Sequence, residues 1–141
     1  MWTFPHYTPG KLPDWQALEH RFSWFADMKN VPQDPEWHAE GDVFVHTKMV
    51  CEALLQLPEF QALSEQEQHI LFAAAMLHDV EKRSTTKREI QDGKERIVSP
   101  NHAKKGEYTA RALLYTELAT PFVVREAIAK LVRLHGLPLW A

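Results

Sequence analysis

The stretch "AAAMLHDVEKR", residues 73–83, begins as a run of small and apolar side chains. It ends on an imidazole, a carboxylate and, three positions later, an ammonium group. Just upstream, Ser64 and Glu67 stand in capping-box spacing ahead of "QHILFAAAMLHDV". The pattern predicts a helix that is apolar nearly all round from Ile70 to Leu77, and therefore central and buried. A carboxylate at the end of such a helix is costly unless it is paired or metal-bound. What neutralises Asp79 is the question the rest of the chain must answer.

Outward from this helix, the order of elements follows from caps and breakers. Asp42 can cap "DVFVHTKMVCEALLQL", which stops before Pro58. Asp14 can cap a helix over about 14–28, with Trp15, Leu18, Phe22 and Phe25 spaced for one face. Between them "KNVPQDPEWHAEG" holds two prolines and reads as a loop. On the far side, "KREIQDGKERIVS" carries Asp92-Gly93 between two short segments, which is a hairpin signal, with a mobile loop as the alternative. A further helix is expected from Pro100 or Asn101 to Leu118. Another follows, capped by Thr120 with Pro121 in its first turn and ending at Gly136 as a left-handed C-cap. The fold expected is an all-α bundle of about five main helices with a short β-hairpin excursion near 86–99.

Composition narrows the function. The chain has 141 residues, 45% hydrophobic and 25% charged, which suits one globular domain. No apolar stretch approaches the ~20 residues needed to span a bilayer, so no membrane partner is expected. "MWTFPHYTPGKLPDW" lacks an apolar core behind a basic start, so no signal peptide is expected. A single cysteine, Cys51, excludes an internal disulfide and any multi-cysteine zinc site. A reducing cytoplasm is the expected location, and His, Asp and Glu are the available metal ligands. The net charge of −3 conceals an asymmetry: residues 82–105 hold 8 of the 16 Lys and Arg against three acids, leaving this window at +5. That window is either a solvated loop or a landing surface for an anion such as phosphate.

Four of the 8 histidines fall on inward helix faces. His46 shares a face with Val43, Val50 and Ala53; His78 with Ala74 and Leu71; His135 with Ile128, Leu131 and Val132. His102 lies below Gly106, Thr109 and Leu113, and Gly106 permits close approach of another helix or a ligand. One inward histidine is most often a satisfied core residue. Four on four helices, with Asp79 as one of few buried acceptors, point to divalent metal. His6, His20 and His69 read as surface residues. His38 precedes the His46 helix and can overhang the site as a substrate contact.

With His46 in "DVFVHTKMV", the doublet in "AAMLHDVEK" and His102 in "NHAKKGEYTARALL", the chain resembles the HD superfamily of metal-dependent phosphohydrolases. The resemblance covers about 37–138. It implies a single HD domain over 1–141, with the helix at about 14–28 packed on that core. The segments "WHAEGDVFVHTKMV", "AAAMLHDVEKRSTT" and "LVRLHGLPLW" look like the HD module of bacterial polynucleotide kinase–phosphatases that heal RNA ends. The HD domain of tRNA nucleotidyltransferases is a more distant likeness. The glycines allow no P-loop, so a kinase would have to be a separate module. HD enzymes usually add a late Asp ligand near where "RLHG" stands, and this chain has no Asp after Asp92. His102 and His135 are expected to replace it or to hold a second ion, with Asp42 an outside candidate.

The resemblance implies one or two divalent transition-metal ions (Mn, Ni, Co, Fe or Zn) held by His46, His78, Asp79, His102 and His135. Asp79 and Lys82 would be the catalytic groups, and Lys82, Arg83 and His38 the substrate contacts. The expected activity is that of a phosphatase or 2′,3′-cyclic phosphodiesterase on nucleotides or RNA ends. The alternatives are an HD-fold di-iron oxygenase and a nucleotide-binding module with little catalytic power.

Overall fold

The computed structural model describes residues 1–36, 38 and 41–135. Helices dominate: α1 Trp15–Arg21, α2 Ser23–Ala26, α3 Val43–Gln56, α4 Pro58–Gln61, α5 Glu65–Leu77, α6 Lys82–Thr85, α7 His102–Thr116 and α8 Phe122–Leu134. The only sheet among the described residues is a hairpin of β1 Lys87–Gln91 and β2 Lys94–Val98. No helix among them is long and apolar enough to cross a membrane.

The central helix forms as its sequence dictates. Ser64 and Glu67 make the reciprocal capping box, and the buried face of α5 includes Phe72, Ala73, Met76 and Leu77. Helix α5 packs against α3 and α8, and α7 lies along α8. The small residue Gly106 sets that last approach. A Cβ there would sit 3.3 Å from Val132 Cγ1, so a side chain would push the two helices apart just where His102 and His135 must meet. Asp42 is consumed as a cap: its Oδ1 accepts from Val45 N–H (2.8 Å) and its Oδ2 from Asn30 N–H (2.9 Å). It is therefore not a ligand. The hairpin turns on Asp92 and Gly93, whose φ values of 50° and 77° give the mirror-image turn that matches strand twist.

Three expectations need correction. The helix expected over 14–28 is broken at Phe22, whose φ of −112° and ψ of 107° are extended. In one unbroken helix Phe22 and Trp24 would point to opposite sides, about 200° apart. The break lets Phe22, Trp24, Phe25 and Met28 all enter the core. At the other end, Thr120 does not cap α8. Pro121 takes the cap position and the Thr120 hydroxyl is buried without a partner. The residue expected to end α8, Gly136, lies outside the described residues.

The third correction is His69, which is buried and not on the surface. The irregular N-terminal segment lies across α5 and covers it. Trp2 exchanges two hydrogen bonds with the Gln66 amide (2.9 and 3.0 Å), and Phe4 N–H donates to His69 Nδ1 at 3.0 Å. Tyr7 stacks on Phe72 with centroids 4.2 Å apart. Phe4, Tyr7, Leu18 and Phe22 thus belong to the same apolar cluster as Leu114 and Val132.

Because Nδ1 accepts a backbone N–H, His69 must be neutral to hold the strap. Burial lowers its pKa below the ordinary 6.5, and Glu65 offsets only part of this. As pH falls below that value the unfolded chain takes the proton first, so stability conferred by neutral His69 is lost toward acid. His69→Gln keeps an acceptor that does not titrate. Chemical denaturation of both proteins from about pH 7.5 to pH 5 should show an extra loss in the wild type. Identical slopes would contradict this role.

Candidate metal centre

Four helices end or begin around one carboxylate. Asp79 is 2% exposed and follows the C-cap residue of α5, His78. His46 stands in the first turn of α3, His102 opens α7 and His135 caps α8 at its C-terminus. The Nε2 atoms of His78 and His46 lie 3.1 and 3.5 Å from Asp79 Oδ2. Those of His102 and His135 lie 3.3 and 3.5 Å from Oδ1. Each carboxylate oxygen thus faces its own pair of imidazoles.

The tautomers follow from the backbone. Nδ1 of His78, His102 and His135 faces the carbonyl three residues earlier, at 2.6, 2.9 and 2.7 Å. A carbonyl only accepts, so each Nδ1 carries the proton. In the neutral rings every Nε2 then presents a lone pair to the carboxylate. His102 Nε2 also meets His135 Nε2 at 3.2 Å. Lone pairs packed this closely require protons or cations between them. Protons serve in part. Burial alone would lower the His78 pKa, but the Asp79 charge and hydrogen bond and the Ala75 carbonyl raise it overall. Burial would raise the Asp79 carboxyl, yet the His78 charge and the surrounding imidazoles hold it well below the usual carboxylate range.

A metal ion fits this donor set. Bonds of about 2.0–2.1 Å at angles of 90–109° place neighbouring ligand atoms about 2.9–3.4 Å apart, close to the separations here. Two groups could each hold an ion, His46–His78–Asp79 and Asp79–His102–His135, and they share only Asp79. Three protein atoms per group leave coordination positions open, as catalytic sites do and structural ones do not. The Nδ1–H···O=C bonds fix ring orientation, as partners of ligating histidines generally do.

Around the cluster, Lys82 Nζ donates to Gln33 Oε1 (2.9 Å) and lies 3.4 Å from Asp79 Oδ2. His38 packs edge-on against His46, with centroids 4.9 Å apart, and lines the adjoining cavity with Gln33, Lys82 and His102. Arg83 is not at this site: it turns to Asp27 (3.1 Å) and Glu81 (3.4 Å). The basic window is mostly neutralised in place. Six of its eight cations, Lys82, Arg83, Lys87, Arg88, Arg96 and Lys105, lie within ion-pair distance of a carboxylate.

Two buried acids escaped sequence reasoning. Glu81 accepts from Ser84 Oγ (2.6 Å) and Thr109 Oγ1 (2.7 Å), tying the turn after Asp79 to α7. Burial pushes its carboxyl up, but those hydroxyls and the charges of Arg83 and Lys105 bring it below its ordinary value. Asp34 accepts from Glu36 N–H (3.0 Å) and Ile97 N–H (3.4 Å) and pairs with Arg96 (3.3 Å). It thereby holds β2 as a wall of the cavity. Neither position carries a motif. Pro-flanked Asp34 reads as an ordinary turn residue, and Glu81 as one acid in a charged stretch.

No family model matches the chain, and no curated protein or solved structure matches it either.

The shared carboxylate has a stoichiometric consequence. Asp79→Ala should abolish binding at both groups, whereas His102→Ala should spare the His46–His78–Asp79 group. Equilibrium dialysis against Mn²⁺ or Co²⁺ with metal analysis should give about two ions per wild-type chain, about one for His102→Ala and none for Asp79→Ala. Equal metal contents in wild type and Asp79→Ala would remove the bridge.

Proposed function

We propose that the chain is a metal-dependent phosphohydrolase of the HD type, acting as a phosphatase or 2′,3′-cyclic phosphodiesterase on nucleotides or RNA ends. One observation carries the reading: a buried carboxylate shared by four imidazole Nε2 atoms has a lysine ammonium on the same oxygen as His46 and His78. His46, His78 and Asp79 would hold one divalent ion, and Asp79, His102 and His135 a second. When bound, such ions supply Lewis-acid stabilisation of phosphoryl charge and acidify a water molecule.

The remaining chemistry belongs to the side chains. An ammonium carries three donors, and Lys82 has two acceptors near it, Gln33 Oε1 and Asp79 Oδ2. A third donor suits a phosphoryl oxygen, and a fixed positive charge there stabilises the charge that develops during transfer. Asp79 keeps the site anionic enough to retain cations. The Nδ1–H bonds keep three imidazoles in the ligating tautomer. His38 would cover the opening beside His46. On this reading the chain would work in the cytoplasm, with any P-loop kinase for RNA-end healing supplied by a separate module.

Four imidazoles with one carboxylate also suit iron, which keeps an HD-fold di-iron oxygenase as the second reading. Lys82 beside the cluster favours phosphate. A panel of 2′-, 3′- and cyclic 2′,3′-phosphates, assayed with and without chelator, separates the two. Chelation should abolish hydrolysis, and Mn²⁺, Ni²⁺ or Co²⁺ should restore it better than Mg²⁺, which prefers oxygen ligands. Full hydrolysis in excess EDTA would sink the proposal, and oxygen consumption by the iron-loaded protein without hydrolysis would replace it. Lys82→Ala should slow turnover by roughly ten- to a thousandfold with metal content unchanged, since an ammonium is not a ligand. An unaltered rate would remove Lys82 from the chemistry.

A further inference from the structure

The two candidate ion groups share Asp79 but are not equivalent. Oδ1 faces the imidazoles of His102 and His135, at 3.3 and 3.5 Å. Oδ2 faces those of His78 and His46, at 3.1 and 3.5 Å, and a full positive charge as well: Lys82 Nζ at 3.4 Å. Among the described residues no other ammonium or guanidinium lies within ion-pair distance of this carboxylate.

That charge is held in place. The Lys82 side chain is 13% exposed, so salt and solvent screen it little. Its ammonium also donates to Gln33 Oε1 at 2.9 Å, and Gln33 is itself buried. Swinging away would cost that amide oxygen its donor. Positive charge added beside Oδ2 is therefore opposed. The opposition already acts on a proton: burial and the Lys82 charge both work against protonation of His78. A divalent ion held by His46, His78 and Oδ2 would meet the same ammonium with twice the charge.

We propose that Lys82 makes the two groups unequal. It is the built-in counter-cation of Asp79 Oδ2, so the Asp79–His102–His135 group takes the first metal ion and the His46–His78–Asp79 group the second. This inequality rests on the two-ion phosphohydrolase reading of the site. At limiting metal the chain holds one ion, on Oδ1, while the ammonium neutralises Oδ2. The second position fills at higher metal concentration, so a reaction that uses both ions would track metal supply.

Two ions on one carboxylate repel each other whatever Lys82 does, so the test separates the groups. His46→Ala leaves the Oδ1 group, and His102→Ala leaves the Oδ2 group. Mn²⁺ is titrated calorimetrically into the full chain carrying each change, with Lys82 present and with Lys82→Met, which keeps the stem and removes the charge. Even with the screening of bulk water, a unit charge and a divalent ion a few ångströms apart repel enough to change affinity roughly tenfold. The His46→Ala protein should therefore bind Mn²⁺ about tenfold or more tighter than the His102→Ala protein. Lys82→Met should raise the affinity of the His102→Ala protein by a similar factor and that of the His46→Ala protein far less. At saturating metal the wild type and Lys82→Met should hold equal numbers of ions, since only affinity moves. If Lys82→Met fails to fold, as read by circular dichroism, Lys82→Gln keeps a neutral donor and should give the same pattern. Tighter binding by the His102→Ala protein, an equal gain in both groups, or no gain in the His102→Ala protein would overturn the proposal and leave the two-ion reading intact. A wild type that binds no Mn²⁺ would sink that reading and the proposal with it.

Discussion

A carboxylate that is almost wholly buried has to be neutralised where it stands, and the described structure ends α5 and α8, opens α7 and turns α3 so that it can be. Asp79 is not decorated by histidines that happen to be near. Three of those imidazoles are anchored by their own backbone carbonyls, so their Nε2 atoms are turned to the carboxylate by the fold itself. Preorganisation of this kind is what lets a small domain hold charge in its interior. It also explains Gly106. The α7–α8 contact has to be close for His102 and His135 to approach within 3.2 Å, and a side chain there would meet Val132.

The second layer holds that centre in place. Glu81 fastens the turn after Asp79 to α7 through Thr109, and Asp34 fastens β2 to the loop that carries Gln33. Both are buried carboxylates with their acceptors filled, which is the condition under which such groups stabilise a fold instead of weakening it. The ion pairs that neutralise most of the basic hairpin region belong to this scaffold. The exposed ones, such as Arg88–Glu95, contribute little to stability.

Much of this was legible in the chain because it rests on local rules. The capping box at Ser64 and Glu67, the Asp42 cap and the Asp92-Gly93 turn are decided within a few residues. So was the inward direction of His46, His78, His102 and His135, since helical periodicity alone sets it. What escaped depends on distant partners. Gln33 reaches Lys82 across 49 positions, and it lies in a proline-flanked loop with no period to place it. His69 sits among Gln and Glu residues that look solvated, and only the N-terminal segment, 65 positions away, buries it. The break at Phe22 has no proline or glycine to announce it. It follows from the number of aromatic rings that need the core.

The central claim is that one carboxylate serves two cations, one on each oxygen. Anomalous diffraction from crystals of the Mn²⁺-loaded protein tests it directly. The account predicts two anomalous peaks flanking Asp79, one between Oδ2 and the His46–His78 pair and one between Oδ1 and the His102–His135 pair. Peaks absent from this cluster, or a single ion that leaves one histidine pair unbound at saturating metal, would contradict it.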